Sequence, residues 1–203
     1  MEKVKSYQQL FAEQCTSIVQ QVLEDMEKNR FHVGTKPIPV PKSPILYRWW
    51  FPSDSPIVAY LKDYITKHPE DIDMKYMYSR LKKKEIGYTI YYALYFGKST
   101  NGRKRFGQHI RGPIKQSTLR ETLRAVLSLK GEICTEERIS DELQKCYYEW
   151  MEFCEDDREL IDCFEMMAIA IGYYPLNMEG NTSISEEWKK SIVDRRKELK
   201  DYK

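Results

Sequence analysis

The sequence predicts a small α+β domain, a three-stranded antiparallel sheet flanked by helices, and three stretches carry that reading. Tyr91 to Phe96 (YYALYF) is rich in residues that fit a pleated, half-buried surface. Ile45 to Phe51 (ILYRWWF) is a second apolar, aromatic run, ended by Pro52. Residues 146–153 (CYYEWMEF) read as a third strand with acids at its rim.

The remaining elements follow from helical spacing. Residues 3–29 place Leu10, Phe11, Ile18, Val19, Val22, Leu23 and Met26 near a helical period among Glu, Gln and Lys. This is an amphipathic helix whose apolar stripe packs on the core or on a twin subunit. Pro37, Pro39, Pro41 and Pro44 then make an extended connector. We divide the chain into residues 1–42, the N-terminal helix with its Pro-rich connector, and residues 43–203, the domain proper. Ile57, Tyr60, Leu61 and Ile65 restore helical spacing after the first strand, so residues 53–87 read as a helical insertion. Further on, Thr118-Leu119-Arg120-Glu121 has the pattern of a capping box and opens a helix through about Leu129. Helices are also expected over 135–145, from Glu155 to Ile171 with a stop at Gly172, and from about Ser185.

Charge is strongly polarised although the formal net charge is only +2. Between Lys98 and Arg124 there are eight Lys or Arg against one acid, Glu121, whereas Glu132 to Glu165 holds thirteen acids against three bases. The first region attracts polyanions. The five cysteines are odd in number, never spaced CxxC, and point to reduced thiols in a cytoplasmic protein without zinc. No apolar run is long enough to span a bilayer, so no membrane partner is expected. Gly97-Lys98-Ser99 is no phosphate-binding loop of the P-loop kind, because Tyr92 stands where that loop needs a glycine.

Between the second strand and the acidic region lies the densest chemistry. Gly97, Asn101 and Gly102 mark a loop, and Arg105 and His109, four residues apart, share one face of the following helix. Arg105 is suited to clamp a phosphate oxygen, or else belongs to a solvated basic face. Glu165 lies in CFEMMAIAIG, where a carboxylate costs desolvation unless a cation compensates or the side chain faces solvent. Arg103, Lys104, Arg111, Lys115, Arg120 and Arg124 can hold a nucleic-acid backbone without reading its sequence. Trp49 and Trp50 point to opposite faces of a strand, and His32 and His68 are taken as structural.

These residues resemble the signature of the GIY-YIG endonucleases. Ile45-Leu46-Tyr47 resembles the first motif, with Ile45 in place of its glycine. Tyr95-Phe96-Gly97-Lys98-Ser99 resembles the second, separated from the first by a longer stretch than is usual. Arg105, His109, Glu165 and Asn177 follow in family order, and the resemblance covers roughly residues 43–181. It implies metal-dependent cleavage of DNA, with RNA an open alternative. Tyr47 would activate water, Tyr95 orient it and with Arg105 stabilise the phosphate, His109 share proton transfer or contact a phosphate, Lys98 or the metal assist a tyrosine, Asn177 orient Glu165 or the leaving side, and Glu165 hold magnesium or manganese. The competing reading keeps the fold without the chemistry, as a nucleic-acid-binding or interaction module. A homo-oligomer formed through the N-terminal helix is a further option.

Overall fold

All eight residues of the strand Ile45–Pro52 are buried, so this strand needs cover on both faces. The computed structural model describes residues 7–34, 36–128 and 132–201, with side chains for 13–34, 36–128 and 132–200. Five strands, β1 (Arg30–His32), β2 (Ile45–Pro52), β3 (Lys83–Ile86), β4 (Thr89–Ser99) and β5 (Tyr147–Glu152), form one antiparallel sheet in the order β1-β5-β2-β4-β3. The three predicted strands are the middle of this sheet, and the expectation of three is corrected to five. Both additions are edge strands, three and four residues long and carrying Arg30, Lys83, Lys84 and Glu85. Short, charged edges discourage further pairing and hide the alternation that marks a strand.

Eight helices flank the sheet among the described residues: α1 (Tyr7–Asp25), α2 (Pro56–Lys67), α3 (Ile72–Arg80), α4 (Gly102–Arg111), α5 (Thr118–Leu127), α6 (Glu136–Gln144), α7 (Arg158–Gly172) and α8 (Glu186–Glu198). On one face Ile45, Tyr47, Trp49 and Phe51 pack with Ile57 and Leu61 of α2, Leu119 and Leu123 of α5, and Trp188 and Ile192 of α8. On the other, Leu46, Trp50 and Phe96 meet Val19, Val22 and Leu23 of α1 and Ile161, Ala168 and Ile169 of α7. Val19, Val22, Leu23 and Met26 of the predicted stripe are thus used within the chain, whereas Ile18 is exposed; the side chains of Leu10 and Phe11 lie outside the described residues. None of the described helices is long and apolar enough to cross a membrane.

Several boundaries differ from the sequence reading for local reasons. The region 53–87 is helical only as far as Arg80, after which β3 extends the sheet. Helix α5 is capped by Ser117, whose Oγ accepts the Arg120 N–H at 3.2 Å, one residue before the predicted box. It ends at Leu127, and Leu129 lies outside the described residues. Helix α7 follows a 3-10 turn at Glu155–Asp157, includes Gly172, and stops where Tyr173 takes a left-handed conformation with φ of 55°.

One charged cluster lies beneath α1. Arg48 on β2 is fully buried opposite Glu149 of β5, and Arg30 of β1 is opposite Glu149 on its far side. Arg48 and Glu149 form a close ion pair, Arg30 binds the same carboxylate at 2.8 Å, and Arg48 Nη2 donates to the Leu23 carbonyl at 3.1 Å. The two guanidinium groups lie 4.9 and 4.8 Å from the Trp50 ring. At the rim Glu27 binds Lys84 closely, with Arg30 at 3.4 Å and Lys82 at 3.6 Å.

Removing one member of a buried pair strands the other charge, so Glu149→Gln is expected to cost about 3–5 kcal/mol in urea unfolding. A cost near zero would contradict this account. Burial alone raises the Glu27 pKa, but the surrounding cations outweigh it and hold it at about 2 against an ordinary 4.5. Its contribution is therefore complete above pH about 4.5 and lost as the pH falls toward about 2. Glu27→Gln should flatten the acid limb of stability in that window, as read by unfolding midpoints at stepped pH.

Candidate active site

Two cross-strand rows on the α2–α5 face build the site. Trp150, Tyr47 and Gly97 form one row across β5, β2 and β4, and Tyr148, Trp49 and Tyr95 form the next. The register is unbroken from Tyr47 opposite Gly97 to Trp49 opposite Tyr95, so strand alternation puts Tyr95 on the face of Tyr47. Beyond it the partners of Trp49 and Trp50 are Tyr95 and Ala93, so Leu94 is the extra residue of a bulge that shifts the rest of β4. The Tyr47 ring lies 6.3 Å from Tyr95 and 5.5 Å from Tyr148, centroid to centroid.

Gly97 explains why a tyrosine can lie there. A Cβ at this position would sit 2.6 Å from the Tyr47 hydroxyl oxygen and 2.7 Å from Cζ, so only glycine leaves the ring its path. At the start of α4 the same logic runs in reverse. Ile45 occupies the position of the motif glycine, and a Cβ on Gly102 would meet its Cδ1 at 2.7 Å and the Pro41 carbonyl at 2.9 Å.

Helix α4 begins at Asn101, whose side chain accepts the Lys104 N–H at 2.9 Å. It delivers His109 into the sheet, with Nε2 2.9 Å from the Tyr47 hydroxyl and Nδ1 2.7 Å from Ser117 Oγ. Arg105, one turn earlier, is half-buried over the same groups. Its one hydrogen bond among the described residues runs from Nη1 to the Gln116 carbonyl at 3.4 Å, and its buried Nε has no partner there.

Burial governs the titration of this cluster. It pushes the Tyr47 and Tyr148 hydroxyls well above the usual tyrosine range and Tyr95 up to about 12, with the Glu165 charge adding to the shift. His109 is held well below its ordinary value by burial and then by the charges of Arg105 and Arg120, so its ring is neutral. Arg105 opposes the rise at all three tyrosines.

Glu165 comes from α7, on the other face. Its carboxylate binds Lys98 Nζ at 3.0 Å, and Asp162, one turn earlier, binds the same ammonium at 2.9 Å. Burial disfavours the Lys98 charge, but both hydrogen bonds outweigh it and raise its pKa.

Of the predicted residues, Tyr47, Tyr95, Arg105 and His109 meet in one buried cluster, the Glu165 charge acts on Tyr47 and Tyr95, and Lys98 is bound to Glu165. Asn177 is engaged elsewhere, its amide accepting the Phe96 N–H at 2.9 Å and donating to the Phe96 carbonyl at 2.8 Å. It acts as a strand partner where β3 no longer covers β4, and both its bonds go to the Phe96 backbone instead of to Glu165. Arg120 also leaves its predicted place on the basic surface. It is buried, with Nη1 donating to the carbonyl of His109 at 2.8 Å and to Ser140 Oγ at 3.0 Å, and Nη2 to the carbonyl of Glu136 at 3.0 Å. Arg124 reaches the Leu199 carbonyl at 3.2 Å, while Arg103, Lys104, Arg111 and Lys115 are exposed. Ser117 and Tyr148 escaped the sequence reading; the only sign of the second was a tyrosine alternating with Trp150 along a strand.

Phenols, an arginine and an imidazole thus gather on one face of an antiparallel sheet, with a carboxylate from a helix packed on the other. The family model for the GIY-YIG catalytic domain matches residues 45–198, and the chain belongs to that family, which is generally one of endonucleases. Comparison with curated proteins and with solved structures gives no match.

The Gly97 close approach makes a direct prediction. Gly97→Ala should cost about 1–3 kcal/mol, the usual range for overpacking a core, and should separate Tyr47 from His109. Urea unfolding and the NMR signals of the His109 ring read both effects; a variant unchanged in both would refute the contact.

Proposed function

We propose that the chain is a metal-dependent endonuclease that hydrolyses DNA phosphodiester bonds. The observation that carries this reading is the pocket where the Tyr47 hydroxyl lies 2.9 Å from a buried His109, beneath an arginine with no carboxylate partner among the described residues. A half-buried guanidinium without a counter-ion is costly, and an anion relieves that cost.

The phosphate binds Arg105, whose fork matches its oxygens. Tyr47 does not ionise alone, since burial holds its proton. In the tautomer with Nδ1–H donating to Ser117, His109 Nε2 accepts the Tyr47 proton while the Tyr47 oxygen takes one from the attacking water. Burial first, and then the Arg105 and Arg120 charges, disfavour a protonated His109. A phosphate bound at Arg105 offsets part of that cost and so favours the relay. Tyr95, neutral at any working pH, orients the water.

The rim fits a divalent cation: Glu165 and Asp162 already hold one positive group, the Lys98 ammonium, between them. Magnesium takes few protein carboxylates and keeps several waters, and manganese serves similarly. Glu165 would hold the ion, with Lys98 released toward the phosphate. When bound, the ion supplies charge neutralisation at the phosphate and the leaving oxygen. The exposed Arg103, Lys104, Arg111 and Lys115 hold the flanking backbone.

Supercoiled plasmid should be nicked in the presence of magnesium and spared in chelator. Tyr47→Phe, Arg105→Ala and Glu165→Ala should each slow nicking about a hundredfold or more. Salt-sensitive DNA binding without nicking by the wild type would favour the binding-module reading; equal nicking by Glu165→Ala would remove the carboxylate from the mechanism.

A further inference from the structure

Tyr148 is the largest polar group in the pocket that the relay does not use. Its side chain is fully buried, with its ring 5.5 Å from Tyr47, 4.9 Å from Trp49, 5.0 Å from Phe106 and 5.8 Å from Trp150. It sits on the β5 side of Tyr47 as Tyr95 sits on the β4 side, so the three phenols flank one point on the sheet. Its hydroxyl has no hydrogen-bond partner among the described residues, and neither has the buried Nε of Arg105. Helix α4 places Arg105 next to Phe106, which packs on the Tyr148 ring, and the Arg105 charge acts on the Tyr148 hydroxyl.

These two unsatisfied donors, beside a third at Trp49 Nε1, cost about 1–3 kcal/mol each. Packing does not require that hydroxyl, since a phenylalanine fills the same space. A phosphate oxygen between the two donors satisfies both, and it brings the negative charge that Arg105 lacks. In the free chain the phenols are covered: Tyr47 is 2% exposed, Tyr95 8% and Tyr148 0%. Among the described residues the guanidinium is held by one long bond, to the Gln116 carbonyl at 3.4 Å, and access of a phosphate to the buried phenols requires Arg105 to shift outward as it arrives.

We propose that Tyr148 is a further catalytic residue of this pocket, donating its hydroxyl hydrogen to the substrate phosphate alongside Arg105 Nε–H. The proposal rests on the reading of the pocket as a phosphate site. It adds a third phenol, from β5, to the two that the GIY and YIG motifs supply.

Tyr148→Phe removes one oxygen and nothing else, and three measurements separate the outcomes. First, the thermal midpoint of Tyr148→Phe without ligand should equal or exceed that of the wild type, because an orphan donor has been removed. Second, inorganic phosphate should raise the midpoint of the wild type and do so much less for the variant. Third, plasmid nicking in magnesium should slow about ten- to a hundredfold, the worth of a hydrogen bond to a charged group. The double variant Tyr148→Phe/Arg105→Gln should lose no more phosphate response than Arg105→Gln alone, since both donors serve one acceptor.

A lower midpoint with an intact phosphate response would make the hydroxyl merely structural and overturn the proposal. So would nicking at the wild-type rate by Tyr148→Phe, with the nuclease reading left standing. If the wild type fails to nick yet its phosphate response depends on Tyr148, hydrolysis is refuted and the anion site upheld. If the wild type shows neither nicking nor a phosphate response, both fall.

Discussion

The arrangement of this protein depends on one central strand that has no solvent face. Residues Ile45–Pro52 alternate between two dry environments, and each demands its own solution. The odd positions, Ile45, Tyr47, Trp49 and Phe51, are aromatic or aliphatic and join a core capped by α2, α5 and α8. The even positions include Arg48, whose charge can be buried only because Glu149 lies opposite it and Arg30 beyond. Cover for this second face comes from α1 and α7, and β1 supplies Arg30. The N-terminal segment therefore completes the sheet that carries the site. A chain beginning at β2 would expose Leu46 and Trp50 and leave Glu149 without Arg30.

Within that frame the pocket is an unbalanced electrostatic system. Three phenols and an imidazole are all held neutral by burial, and Arg105 is the charge that acts on all four. At the rim the opposite holds: Lys98 is shared by two carboxylates, so negative charge is in excess. In the proposed reaction a phosphate would balance Arg105 and a cation the two carboxylates. Donors and charge set in place beforehand would avoid reorganising solvent during it.

What the sequence disclosed was period and residue type. The three central strands, the i to i+4 pairing of Arg105 and His109, and the long helices were legible because each rests on local spacing. Glu165 was singled out only through resemblance, because spacing does not say which face of the sheet its helix covers. The edge strands were hidden by their charge and brevity. Arg120 and Asn177 show a different limit: an arginine inside a basic run looks solvated, and an asparagine after a helix looks like turn chemistry. Their actual partners are backbone groups of distant segments. Tyr148 was hidden for a related reason. Whether it faces the site depends on cross-strand register, and a slip of one residue would send it to the other face.

The two departures from the family pattern now have a physical account. Ile45 adds bulk where a glycine is usual, and Gly102 removes it from the element packed against that point. The long stretch between the tyrosine motifs leaves the sheet at Pro52 and returns along β4. Its ends are fixed by Ser53 N–H donating to the Ile90 carbonyl at 2.8 Å and Ala93 N–H donating to the Lys82 carbonyl at 2.9 Å. In the pairing of β2 with β4, Pro52 stands opposite Tyr91 and Tyr47 opposite Gly97. At about 3.3 Å per residue, the insertion departs roughly 16 Å along the strand from the phenol that contacts His109. Helix α2 of the insertion packs on the same sheet face as Tyr47 and Trp49, so the added chain supplies part of the cover of that face, while the pairing of β2 with β4 keeps the two tyrosine motifs side by side.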